Sequence, residues 1–285
     1  MDTIKNSKLI SILLITCIYI MSACLGVCIY FMLSFAFWLN LLIADAASTV
    51  FVFIFSVIFK NASVYDPYWS VQPIVILVCF AIFHKITPVT ILLLISVIYW
   101  GIRLTGNWAY VFGGLNHQDW RYTKLEKENG KLYPLINLTG IHMMPTLIVY
   151  MCALPSVFAV RAELNANIGS YIGAAICIGA ATLQLVADIQ MHKYRKSGQH
   201  GLIRTGLWKF ARHPNYLGEI LMWWGIAVQV VSVMPERWWL VAGAVCNTLL
   251  FFTISIPLAD KRQSAKEGYA EYKASTRSLL PIPKG

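Results

Sequence analysis

Residues 9–37 read L-I-S-I-L-L-I-T-C-I-Y-I-M-S-A-C-L-G-V-C-I-Y-F-M-L-S-F-A-F, a run of 29 positions without a charged side chain. A helix needs about 20 mostly apolar residues to cross a bilayer, so this run predicts a membrane span. Because it is overlong, we expect it to bend or tilt near Gly26. A cleaved leader is the alternative, since Lys5 and Lys8 precede the run and M-S-A-C lies at 21–24. The apolar core of a leader stops after about 7–15 residues, which favours an uncleaved span here.

The composition of the whole chain is typical of a membrane protein. Of its 285 residues 58% are hydrophobic and 13% are charged, and the mean hydropathy is +0.63. Soluble domains are only about 45–50% apolar, so this chain has too little polar surface for a soluble globule of its size. All seven cysteines fall in apolar runs, without a C-x-x-C pair or a histidine at ligand spacing. We interpret them as small buried residues and predict no metal site.

The pattern of apolar runs predicts an all-α fold, a polytopic bundle of about seven to eight transmembrane helices. The predicted spans are 9–37, 41–59, 70–84, 88–109, 139–160, 168–191, 215–233 and 237–257. With both termini in the cytosol, 19 of the 23 Lys and Arg residues lie on the cytosolic side and three on the other. This bias predicts an integral membrane protein whose polar stretches face the cytosol. It also explains the net charge of +10, so we expect no nucleic-acid partner.

Five ionisable side chains fall inside the predicted spans: Asp45, Arg103, His142, Asp188 and Glu219. Such groups are costly in lipid and usually face an interior cavity. Each also has a simpler interpretation. The two aspartates and the glutamate can form ion pairs, Arg103 can extend to the membrane surface, and His142 can be a satisfied interior residue.

Two groups of polar residues follow helical spacing near the cytosolic face. Asp188, His192 and Arg195 share one helix face, and Arg212, Asn215 and Glu219 share another. Pro214 predicts that the second helix begins beside Arg212, and a helix N-terminus next to an arginine favours anions. The chain has neither a G-x-G-x-x-G nor a P-loop motif. The spacing therefore predicts a phosphorylated cofactor held by membrane helices.

The C-terminal motifs resemble the steroid 5α-reductase superfamily. They are A-D-I-Q-M-H-K-Y-R (187–195), G-L-W-K-F-A-R-H-P-N-Y-L-G-E (206–219) and G-Y-A-E-Y-K-A-S-T-R-S-L-L-P (268–281). Upstream, Y-D-P-Y-W-S (65–70), W-G-I-R-L (100–104) and D-W-R-Y (119–122) are similar to a bacterial branch of that superfamily. The resemblance covers roughly 60–285. It divides the chain into an N-terminal transmembrane hairpin, 1–60, and a reductase-like transmembrane domain, 61–285.

The resemblance implies NADPH bound from the cytosolic side and a lipophilic substrate that enters from the bilayer. It assigns these residues to the cofactor: Arg103, Asn107, Arg121, Tyr122, Asp188, Arg195, Arg212, His213, Asn215, Tyr216 and Glu219. The reaction it implies is hydride transfer to the carbon–carbon double bond of an enone, such as a 3-oxo-Δ4 steroid. A hydrogen-bond donor must then polarise the substrate carbonyl.

The candidates for that catalytic role are Tyr99, with Trp100 competing for the register, and Asp66 with Tyr68. The D-P-Y-W segment that holds the last two can also be a cytosolic turn. Substrate contacts are predicted for Trp69, Trp100 and His142. The tail after Pro257 predicts an amphipathic helix on the membrane surface, where Lys261 or Arg262 can still reach a phosphate.

Two other functions remain open from the sequence. The R-H-P-x-Y-x-G-E pattern also resembles isoprenylcysteine carboxyl methyltransferases, which use S-adenosylmethionine. A non-enzymatic lipid-binding or transport protein is the third hypothesis, although transporter sites usually lie at the midplane of the membrane.

Overall fold

A computed structural model describes residues 6–199 and 201–284, and these residues form helices and loops without a β-strand. The predicted all-α class is therefore confirmed. The helices are α1 Lys8–Met32, α2 Phe37–Phe59, α3 Tyr68–Phe83, α4 Pro88–Val111, α5 Trp120–Asn129, α6 Met144–Arg161, α7 Ile168–Lys196, α8 Pro214–Val231, α9 Ala242–Leu250, α10 Ile256–Gln263 and α11 Tyr269–Ser275. Two π-helical segments, Asn137–Met143 and Phe251–Ser255, lead into α6 and α10.

Several helix starts follow directly from the local sequence. Thr87 accepts a hydrogen bond from the backbone N–H of Thr90, and Pro88 occupies the first position of α4. Asn167 and Ser170 form a reciprocal capping box at the start of α7. These side chains satisfy N–H groups that have no partner within the helix.

The overlong first run is divided between two helices. Helix α1 continues through Gly26 and ends at Met32, so the chain turns at 33–36. Asn40 holds this turn, because its side chain accepts from the N–H of Phe35 at 3.1 Å and donates to the carbonyl of Leu33 at 2.9 Å. The predicted span 9–37 is therefore corrected to Lys8–Met32.

Seven helical segments of the described chain are long and apolar enough to cross a membrane. They include every predicted span except 215–233, which forms helix α8 but is not among the seven. Helix α8 carries Glu219 and Gln229, and both side chains are buried. A helix packed among other helices can carry such polar side chains on its buried faces, where they are kept from lipid. The predicted division of the chain into an N-terminal hairpin, 1–60, and a reductase-like domain, 61–285, stays a prediction.

Helices α7 and α8 approach each other closely because glycines line their contact. A Cβ atom at Gly173 would lie 2.6 Å from the carbonyl oxygen of Gly225, and one at Gly218 would lie 2.6 Å from that of Ala180. Small residues of this kind allow two membrane helices to pack backbone against backbone. This contact fixes the end of α7 beside the start of α8.

We expect Gly173→Ala to destabilise the bundle, because the new methyl group has no room against the backbone of α8. Overpacking of this kind costs about 1–3 kcal/mol. Thermal unfolding in detergent measures the effect. Gly179→Ala, in the same helix with open space around it, is the matched control and should leave stability unchanged or raise it. Equal stability of the two variants would contradict the close helix contact.

Candidate functional site: a cationic cavity at the ends of α7 and α8

A cavity of about 380 Å³ lies where α7 ends and α8 begins. Its walls come from the end of α7, the loop that follows it, the residues before α8, and the tail helices α10 and α11. Its charged and ionisable lining residues are Arg195, Arg212, His213, Asp260, Arg262, Lys266, Tyr269 and Tyr272, together with Tyr194. The volume falls in the range of small-molecule sites, about 300–1,000 Å³.

Asp260 is the single carboxylate among the lining residues of this cavity that the structure describes. It lies 3.3 Å from Nε of Arg212 and 2.7 Å from Nε2 of His213. Burial lowers the pKa of His213 from its ordinary 6.5, although the neighbouring Asp260 opposes that shift. The ring is therefore neutral at pH 7 and donates its Nε2–H to the carboxylate. Arg212 and His213 are thus already satisfied inside the protein.

Three cations of the cavity have no such counterion. Within the described chain, no carboxylate oxygen lies within 4.0 Å of Arg195, Arg262 or Lys266. The Lys266 ammonium donates to the carbonyl of Gly201 at 2.7 Å. Burial and the adjacent Arg262 and Arg195 lower the pKa of Lys266. An arrangement that brings like charges together without an internal partner is suited to an external anion.

The tail forms part of this site. The backbone N–H groups of Arg212 and His213 donate to the carbonyls of Arg277 and Ser278, each at 3.0 Å. The hydroxyl of Tyr272 donates to the carbonyl of Trp208 at 2.6 Å. The tail is helical, as the sequence predicts, but it packs against the protein through buried Tyr269 and Tyr272 instead of lying as a separate surface helix.

Three of the predicted cofactor residues, Arg103, Asn107 and Asp188, join α4 to α7 beside the cavity, together with His192. Arg103 donates to Asp188 at 3.2 Å, and Asn107 pairs with His192 at 2.7 Å. The second pair lies four residues, or about one turn, after the first on each helix. The two pairs therefore connect the parallel helices at successive turns. This arrangement satisfies a buried arginine, and of Asp188, His192 and Arg195 only Arg195 lines the cavity.

Glu219 lies deeper, in the interior of the bundle. One carboxylate oxygen accepts from the indole of Trp100 at 2.8 Å and from the amide of Gln184 at 2.7 Å, and the other accepts from Trp223 at 3.0 Å. The side chain is 4% exposed. Three N–H donors therefore hold a carboxylate that has no cationic partner in the described chain.

The remaining cofactor candidates do not line the cavity. Tyr122 donates its hydroxyl hydrogen to Asp66 at 2.7 Å, and Arg121 pairs with Asp119 at 2.8 Å. Tyr216 stacks on His213, with 5.1 Å between ring centroids. Asn215 accepts from Gln184 through its backbone carbonyl at 3.3 Å. Of the predicted cofactor residues, the cavity wall contains Arg195, Arg212 and His213.

The structure separates the catalytic candidates. Tyr68 lines a second, apolar cavity of about 290 Å³ between α1, α2 and α3, whereas Asp66 faces Tyr122 outside it. Tyr99 lies 3.1 Å from the hydroxyl of Thr182 and lines neither cavity.

The three predicted substrate contacts also lie outside the lining of the apolar cavity. Trp69 and Trp100 contact each other at 6.0 Å between centroids. His142 is fully buried in a π-helical segment against the ring of Tyr65, at 4.7 Å.

Sequence reasoning missed several residues of the two cavities. Asp260 and Lys266 were visible only as charges of the tail, because each acquires its role through a partner distant in the chain. Asp45 was recognisable from the sequence as an ionisable group in a predicted span, but nothing in the sequence indicated that Gln72 lies beside it. Arg262 was expected to reach a phosphate from a surface helix, and the structure places it in the cavity wall.

Two yeast proteins are similar to parts of this chain. An uncharacterized protein of Schizosaccharomyces pombe, C594.04c, is 27% identical over 193 residues, which cover 58% of this chain and 56% of that protein. The protein-S-isoprenylcysteine O-methyltransferase of Saccharomyces cerevisiae is 40% identical over 43 residues, covering 15% of this chain and 17% of that enzyme. The chain thus spans about half of the first relative and less of the second.

No solved structure matches the chain. Residues 52–276 match the family described as protein of unknown function, DUF1295. The chain belongs to this family, which is part of the steroid 5α-reductase-like superfamily of membrane enzymes.

Proposed function

We propose that the protein is an NADPH-dependent membrane oxidoreductase that reduces a carbon–carbon double bond of a lipophilic enone. The charge of the cavity at α7 and α8 carries this proposal. Arg195, Arg212, Arg262 and Lys266 contribute four positive charges and Asp260 one negative charge, so the net charge is +3 with His213 neutral. A cofactor with several phosphate groups supplies the missing anions.

The same charge argues against the second candidate, an S-adenosylmethionine-dependent methyltransferase. The short similarity to the yeast isoprenylcysteine methyltransferase favours that candidate. However, S-adenosylmethionine carries a sulfonium cation and no phosphate, so a cavity with a net charge of +3 repels its reactive group and leaves the guanidinium groups unpaired.

The residues of this chain divide the work of the proposed reaction. Arg195, Arg262 and Lys266 bind phosphate, while Asp260 orients Arg212 and His213 beside them. NADPH, when bound, supplies the hydride. The apolar cavity at Tyr68 receives the substrate, and the tyrosine hydroxyl is in position to hydrogen-bond a carbonyl there. The overall reduction consumes one hydride and one proton.

The remaining predicted cofactor residues act indirectly in this proposal. Their contacts fix α4, α7 and α8 around the site. These contacts are Arg103 with Asp188, Asn107 with His192, and Glu219 with Trp100. In this proposal the protein lies in a bacterial inner membrane, and its cationic cavity faces the cytosol. The distribution of Lys and Arg residues supports this orientation.

Binding to the purified protein in nonionic detergent tests the proposal. We expect energy transfer from tryptophan to NADPH, because Trp208 lies in the cavity wall, and no binding heat with S-adenosylmethionine. NADPH oxidation should then depend on one member of a panel of 3-oxo-Δ4 steroids and shorter lipophilic enones. A folded protein that binds S-adenosylmethionine and not NADPH would overturn the assignment.

A further inference from the structure

The apolar cavity between α1, α2 and α3 has polar groups at both ends. Its sides are apolar residues such as Ala23, Val27 and Ile76. Asp45, Gln72 and Tyr68 line one end, and His84 and Arg161 line the other. Helix α6 ends at Arg161, and α7 then runs back to the cationic cavity, so the Arg161 end of the apolar cavity lies at the opposite face of the bundle from the cationic cavity.

The end near Tyr68 contains polar groups that lack a hydrogen bond. Asp45 is 4% exposed and Gln72 6% exposed, yet neither the carboxyl oxygens nor the amide atoms have a partner of normal geometry in the described chain. The two side chains and the Tyr68 hydroxyl nevertheless face one another closely enough to interact electrostatically. Buried polar groups of this kind are costly unless something bonds them. An oxygen atom of a bound molecule can accept from the Gln72 amide or the Tyr68 hydroxyl.

The opposite end presents a cation. The guanidinium of Arg161 lies 4.1 Å from the ring centroid of Phe37, and within the described chain no carboxylate lies within 4.0 Å of it. His84 uses its Nδ1 on the carbonyl of Phe80, at 2.8 Å, which leaves Nε2 for another partner. Phe37 and Asp45 are eight residues apart in α2, which corresponds to about 12 Å at 1.5 Å per residue.

We infer that this cavity binds an acidic lipophile, with a carbonyl or hydroxyl oxygen at one end and a carboxylate or other anionic group about 12 Å away. The oxygen meets Gln72 and Tyr68, the apolar body fills the space between the helices, and the anion pairs with Arg161. The inference rests on the proposed function only in naming this molecule as the substrate. The binding itself requires no cofactor.

A pair of rigid ligands that differ only in charge tests this inference. The probes are 3-oxoandrost-4-ene-17β-carboxylic acid and its methyl ester, titrated against the purified protein without NADPH and followed by tryptophan fluorescence. We expect the acid to bind about three- to tenfold more tightly than the ester, since the pairing with Arg161 is partly exposed. Equal affinities, or no binding of either probe to folded protein, would overturn the inference.

Matched variants test which residues bind each end of the ligand. Arg161→Gln should remove the preference for the acid. Arg237→Gln should keep it, because this arginine packs in a similar way on Phe158, at 4.9 Å, but does not line the cavity. Gln72→Leu should weaken acid and ester equally. If Gln72→Leu does not fold, Ala23→Phe, which fills the cavity, replaces it and should weaken both probes. A preference that persists in Arg161→Gln contradicts the proposed anion partner.

The result of this binding experiment does not depend on the cofactor. A protein that binds the acid as expected but never oxidises NADPH overturns the proposed function and leaves this inference standing. NADPH oxidation with neutral enones, together with equal binding of the acid and the ester, would support the proposed function and overturn this inference.

Discussion

Replacing Arg195 and Arg262 together by glutamine should lower the affinity for NADPH at least about 100-fold. A hydrogen bond to a charged group contributes about 1.5–3 kcal/mol, so two such bonds correspond to about 3 kcal/mol or more. Both arginines line the cationic cavity, and neither has a carboxylate partner among the described residues, so their loss leaves no carboxylate of the protein unpaired. Titration of fluorescence energy transfer measures the change.

Lys193→Gln is the matched control for this pair. Lys193 is an exposed cation in the last turn of α7, close in sequence to Arg195, and it does not line the cavity. We expect its substitution to leave NADPH affinity within about threefold of wild type, because exposed charges contribute little. Arg212→Gln should act differently, since it deprives Asp260 of a partner and lowers stability as well as affinity. Unchanged NADPH affinity in the double variant would exclude this cavity as the cofactor site.

Replacing Glu219 by leucine should destabilise the whole bundle. The substitution leaves the indole N–H groups of Trp100 and Trp223 and the amide of Gln184 without an acceptor. Each buried donor left without a partner costs about 1–3 kcal/mol, so we expect a loss of about 3 kcal/mol or more. Glu219→Gln should cost less, because its carbonyl oxygen can still accept two of the three bonds.

Thermal unfolding in detergent, followed by tryptophan fluorescence, measures this effect. Glu236→Leu is the control, since Glu236 is exposed in the segment that follows α8. Its unfolding temperature should stay close to that of the wild type. A Glu219→Leu variant that is as stable as the wild type, and fails only to bind NADPH, would contradict the structural role and favour a direct cofactor contact.

The positions of the apolar spans were predictable because they depend on local composition. Apolar runs of about 20 residues mark spans wherever they occur, and the seven apolar segments of the structure follow the predicted runs. One boundary that changed is at the turn after Met32, where a single side chain, Asn40, satisfies the backbone within an apolar run. Hydropathy carries no information about such a side chain.

The predicted site was only partly recoverable from spacing. Arg195 and Arg212 were expected to face each other, and both do line one cavity. Helical spacing also placed Glu219 beside Arg212. The structure instead turns Glu219 toward two tryptophans, one of them 119 residues earlier in the chain. Spacing determines which residues share a helix face, but not which neighbouring helix that face meets.

By itself, the sequence determined that this protein is a bundle of membrane helices and that its polar residues gather at the ends of two of them. Both properties follow from short stretches of chain in contact with lipid or water. Only the tertiary structure decided that Asp260 pairs with Arg212 and accepts a hydrogen bond from His213, and that Gln72 faces Asp45 across a cavity. These pairings join residues far apart in the sequence, because it is the packing of one helix on another, and not a local stretch of chain, that brings such side chains together.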